Sequence, residues 1–81
     1  MTRLEVRNMR PSQIAHYLVD ELGGTGDDEL VSGEGWTVRF VRGEPAAVGR
    51  FRIPVLFIDI EGEREAEVTR FLRQKTMRGG G

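Results

Sequence analysis

Cysteine is absent from this 81-residue chain. Its absence removes disulfides, thiolate nucleophiles, iron–sulfur clusters and cysteine zinc sites together. Histidine occurs once, at His16, so a multi-histidine metal site cannot form within a single chain. Long apolar runs are also missing. None approaches the roughly 20 residues that a bilayer crossing needs, and the N-terminal MTRLEVRNMR has no apolar signal core. A cytoplasmic location is expected. Net charge is small, at −1, so overall charge gives nucleic-acid binding no support. These absences leave no cofactor to expect and argue against an enzyme: there is no thiol, no second histidine and no carboxylate pair at a recognisable spacing.

What remains suits a soluble globular domain, with 38% hydrophobic and 31% charged residues. The length fits one domain, near the small end of what folds unaided. We place it at residues 1–78, followed by a flexible glycine tail at 79–81. The charges are unevenly spread. Asp20 to Glu34 holds six acids and no base, whereas Arg70 to Arg78 holds four bases and no acid.

Periodicity supplies the elements. Thr2 to Arg7 alternates, with Leu4 and Val6 on one face, as a half-buried strand does. Pro11 suits the first turn of a helix, where its missing N–H costs nothing. Ile14, Ala15, Leu18, Val19 and Leu22 then form an apolar stripe that stops at Gly23-Gly24. Glu29–Ser32 reads as a short strand. Trp36–Arg42 is the clearest strand, with Trp36, Val38 and Phe40 on one face. Ala46–Ile53 contains a strand with an irregularity at Gly49, Pro54 interrupts, and Val55–Ile60 is a largely apolar strand. Gly62 to Met77 reads as a helix with acids at its start and bases at its end, which suits the helix dipole.

The order β-α-β-β-β-β-α predicts an α+β fold: a curved antiparallel sheet packed on helices, in a TATA-binding-protein-like or helix-grip arrangement. A ferredoxin-like fold would need a further strand after the last helix. A ubiquitin-like fold would need a hairpin first and a strand last.

Leu4-Glu5-Val6-Arg7 leading to the Pro11 helix, Gly23-Gly24, Gly35-Trp36, Phe57 to Gly62 and Phe71-Leu72 together resemble the C-terminal domain of MoaD-related proteins. These are relatives of the molybdopterin-synthase small subunit, and that domain is TATA-binding-protein-like and of uncharacterised function. The resemblance implies an association with sulfur-carrier or molybdenum-cofactor metabolism. It carries over no catalytic residue.

Four features are candidates for function. Arg39, Arg50 and Arg52 would form a basic patch on the open sheet face if their strands are neighbours; they are the candidate partner-binding residues. Gly80 and Gly81 end a stretch, Arg78-Gly79-Gly80-Gly81, of the kind that sulfur or modifier carriers present to an activating enzyme. A frayed helix end explains the same residues. His16 and Asp20 are one helical turn apart and within hydrogen-bonding reach, although a solvated face accounts for them. Asp27-Asp28-Glu29 is an acidic turn without the alternation of a calcium loop. The expected function is a non-enzymatic interaction module with a protein partner or a second copy of itself. The alternatives are a carrier acting through the glycines, or a small-ligand module using the space between sheet and last helix. That space is expected to be filled by Phe57, Phe71 and Leu72.

Overall fold

The structure, a computed structural model, describes residues 1–80, with side chains described as far as Thr76. Gly81, the end of the carrier tail that Gly80 and Gly81 would form, therefore lies outside the described residues. In chain order the elements are β1 (Thr2–Arg7), α1 (Pro11–Leu22), β2 (Thr25–Gly26), β3 (Leu30–Gly33), β4 (Trp36–Arg42), β5 (Ala46–Val48), β6 (Phe51–Ile53), β7 (Val55–Glu61) and α2 (Glu65–Gly80). The α+β class is as expected. Five strands form one antiparallel sheet in the order β1-β7-β4-β3-β2, and β5 and β6 form a second, two-stranded sheet.

Alternation along the strands decides which face is covered. Val6 on β1, Val31 on β3, Trp36, Val38 and Phe40 on β4, and Leu56, Ile58 and Ile60 on β7 are all buried. Against them lie Ile14, Ala15 and Leu18 of α1 and Val68 and Leu72 of α2, in one continuous core. α1 covers the β2–β3 side and α2 the β1–β7 side. Each fully buried Ile, Leu or Val contributes roughly 1.5–3 kcal/mol. The two helices also clamp one another. Lys75 pairs with Glu21 at 2.9 Å and sits over the rings of Tyr17 and Phe71, 5.1 and 5.5 Å from their centroids.

Local chemistry fixes the helix ends. Pro11 opens α1, and the Arg10 N–H donates to Gln13 Oε1 at 3.1 Å. At the other end Gly24 N–H donates to the Leu18 carbonyl at 3.1 Å. α2 starts later than the expected Gly62, because Gly62 holds φ 121 in the turn after β7. A Cβ there would collide with the Gly35 carbonyl oxygen and lie 2.7 Å from Trp36 Cα. That close approach lets Arg64 N–H reach the Gly35 carbonyl at 2.9 Å and sets where α2 begins.

Two expectations are corrected. Ala46–Ile53 is a hairpin rather than one irregular strand. Phe57 does not fill the space under α2: it falls between inward-facing Leu56 and Ile58 and so takes the opposite face. The sheet–helix space is filled by Trp36, Val68 and Leu72, with Phe71 packed against it.

Candidate functional site

The β5–β6 hairpin is a tight one. Val48 pairs with Phe51, leaving Gly49-Arg50 as a two-residue turn. Gly49 has φ 59, and Asn8 is the sole described non-glycine residue with positive φ, so Arg50 is ordinary. That combination is the II′ pattern, which needs glycine at its first central position and matches the twist of a hairpin. Pro45 precedes β5 and Pro54 follows β6, so the strands are bounded by residues that cannot extend a ladder.

Ala46, Val48, Phe51 and Ile53 share one face of this hairpin, and Ala47 and Arg52 the other. Phe51 is 75% exposed and Val48 51% exposed, although each is large and apolar. An isolated two-stranded hairpin is marginal in water, and an exposed aromatic at its tip adds nothing to the core. Arg50 and Arg52 flank Phe51 in sequence, Arg50 in the turn and Arg52 on the opposite face, and neither has a carboxylate within 4.0 Å among the described residues. The segment Ala46–Ile53 contains no acid.

Arg39 lies elsewhere. It is on central β4, opposite Leu30 of β3 and Asp59 of β7. The three arginines do not form one patch, because β5 and β6 pair with each other and not with β4. Arg39 instead belongs to a charged row on the open face. Arg3 Nε and Nη2 donate to the two Asp59 oxygens at 2.6 and 2.8 Å, and the Arg3 guanidinium lies 5.0 Å from the Phe57 ring centroid. The Arg3 hydrogen bonds hold the Asp59 carboxyl below its ordinary range, and the charges of Arg3 and Arg39 act the same way.

This row makes a pH prediction. A carboxyl depressed in the folded state adds stability above its unfolded range and loses it as pH falls through the folded value. The thermal midpoint is therefore expected to drop on acidification below the ordinary aspartate range. Asp59→Asn should start lower at neutral pH and fall less steeply. Melts followed by circular dichroism from pH 7 to pH 2 check this; parallel slopes for the two proteins would exclude the Arg3–Asp59 contribution.

The remaining candidates fall apart spatially. His16 Nε2 and Asp20 Oδ2 are 3.5 Å apart, with side chains 71% and 68% exposed. Asp27 Oδ1 accepts from the N–H groups of Glu29 and Leu30 at 2.9 and 3.1 Å, which holds its carboxyl below the ordinary range and closes the acidic turn. Among the described residues no three His, Asp or Glu side chains are grouped as a metal site would need. No described helix is long and apolar enough to cross a membrane.

Sequence reasoning did not single out Phe51. The available signal was two short apolar triplets, Ala46–Val48 and Phe51–Ile53, separated by Gly49-Arg50 and enclosed by prolines.

The model of the family described as archaeal MoaD-like protein matches residues 2–81, and the chain belongs to that family. No curated protein matches it.

Proposed function

We propose that this MoaD-like chain is a non-enzymatic protein-interaction module of sulfur-carrier or molybdenum-cofactor metabolism, and that it docks through the β5–β6 hairpin. The observation that carries the proposal is Phe51, three-quarters exposed where the Gly49-Arg50 turn enters β6. An exposed aromatic anchor with arginines beside it in the chain is the composition of an interface centre. The partner surface that fits is an apolar cleft with acids at its edge. The family supplies the metabolic context and the hairpin supplies the contact.

Charge reversal tests the rim. Arg50→Glu/Arg52→Glu is expected to slow association with the partner and remove its salt dependence, because rim charges act mainly on encounter. Arg39→Glu should leave binding near wild type. All these variants should melt within a few degrees of wild type, since Arg39 on β4 and Arg50 and Arg52 on the hairpin are all exposed. Binding lost with Arg39→Glu and kept with the hairpin double variant would move the contact to the open sheet face.

A second reading rests on the family match, which runs through residue 81. On it the chain is a sulfur or modifier carrier acting through Gly80-Gly81. The intact mass of the chain purified from its native host after incubation with ATP decides this. A thiocarboxylate or a conjugate at Gly81 supports the carrier; an unmodified mass, with a control carrier modified in the same lysate, removes it.

A further inference from the structure

A cavity of about 530 Å³ opens where β4 ends, α1 begins and the two stems of the hairpin leave the sheet. That volume is within the usual range for small-molecule sites. Its lining is partly apolar and includes Met9, Pro45, Pro54, Val55 and Leu56. Arg10 and Arg42 also line it, and no acidic residue does.

Arg42 reaches this place for a structural reason. It continues the alternation of Trp36, Val38 and Phe40, so it faces the helix-covered side of the sheet, one step beyond the core. Arg10 is the residue immediately before α1. Two arginines thus border one partly apolar cavity. Neither has a carboxylate within 4.0 Å among the described residues. Asp28 and Glu29 line a separate recess that shares Pro11 and Arg42, and they form no ion pair with Arg42.

The rim is fixed by backbone. Asn8 holds φ 60 and donates its N–H to the Pro54 carbonyl at 2.9 Å, and Gly43 N–H donates to the Val55 carbonyl at 2.9 Å. Asparagine tolerates this left-handed conformation, so Asn8 turns the chain from β1 toward α1 beside the cavity.

We infer that this cavity binds a small organic oxyanion, a carboxylate or phosphate carried on an apolar body. Arg10 and Arg42 take the oxyanion, and Met9, Leu56 and the flanking Pro45 and Pro54 take the body. Paired guanidinium groups supply forked, charge-assisted donors for such a group. The site is separate from the Phe51 tip and does not depend on the docking proposal.

The test is a titration of the isotope-labelled protein, followed by amide NMR, with phenyl phosphate and with benzoate. Inorganic phosphate and benzyl alcohol serve as controls for each half of the ligand. Saturable shifts are expected at Asn8 to Gln13 and at Arg42 and Gly43, with one of the two probes bound more tightly than both controls. Arg10→Gln and Arg42→Gln should each weaken binding about tenfold or more. Arg73→Gln on α2 and Phe51→Asp should leave it unchanged. Because Arg10 and Arg42 are exposed, these variants are expected to keep the wild-type amide spectrum elsewhere. Shifts that do not saturate, that spread over all exposed arginines, or that survive Arg42→Gln would overturn the site. Which probe binds tells carboxylate from phosphate.

Discussion

Gly62→Ala is expected to destabilise the protein by about 3 kcal/mol or more. Two costs add at this one position. Its φ of 121 is a conformation that residues with a Cβ rarely adopt. The new Cβ would also meet the backbone of Gly35 and Trp36, and backbone cannot rotate away. Typical stabilities of 0.05–0.15 kcal/mol per residue give roughly 4–12 kcal/mol for a chain of this size. The substitution would thus consume a large fraction of the total. For a domain this small the thermal midpoint should fall by roughly 12–24 °C. Gly23→Asn is the control. Gly23 also has positive φ, at 70, but nothing lies within 4 Å of a Cβ there, and asparagine tolerates that region. Denaturant titration of both variants separates the two costs. Equal losses would show that backbone conformation alone, and not the approach of the β7–α2 turn to Gly35, decides stability.

Phe51→Asp is expected to weaken partner binding by 2 kcal/mol or more, about 30-fold, while leaving the thermal midpoint within a few degrees of wild type. The split follows from where the ring is. At 75% exposure it has little burial to lose on substitution, and it takes no part in the core formed by α1, α2 and the main sheet. A buried aromatic cut back to a small residue costs about 3–5 kcal/mol of stability. A large binding loss without a stability loss is therefore the signature of a docking anchor. A fall in midpoint of the core-residue size would mean that Phe51 supports the fold instead. An aspartate also sets a like charge against the acidic partner surface that the proposal requires, so Phe51→Ala should lose less than Phe51→Asp.

Much of the architecture was legible because single residues carried it. Trp36, Val38 and Phe40 alternate strictly, and β4 occupies the expected residues with those three buried. Pro11 and Gly23-Gly24 bracket α1 as read. The hairpin was not legible in the same way. Ala46–Val48 and Phe51–Ile53 are three-residue strands, too short for periodicity to separate two strands from one interrupted strand. Hydrophobicity does not mark Phe51 either, since aromatic residues are more often buried than not, and the tertiary exposure that singles it out has no local signature. Phe57 failed for a related reason. In the run Val55 to Ile60 almost every residue is apolar, so the alternation is nearly silent, and only the pairing with β1 shows Asp59 and Phe57 beneath Arg3. The joint patch of Arg39, Arg50 and Arg52 depended on strand neighbours, which are long-range pairings that spacing does not encode.

The most direct measurement is photocrosslinking from the hairpin tip. p-Benzoylphenylalanine would replace Phe51 in one protein, Arg39 in a second and His16 in a third, each irradiated in lysate of the native host. Docking through the hairpin predicts a discrete protein adduct from position 51, absent from positions 39 and 16 and suppressed by Arg50→Glu/Arg52→Glu in the same chain. An adduct from position 39 with none from position 51 would contradict it and return the contact to the open face of the sheet.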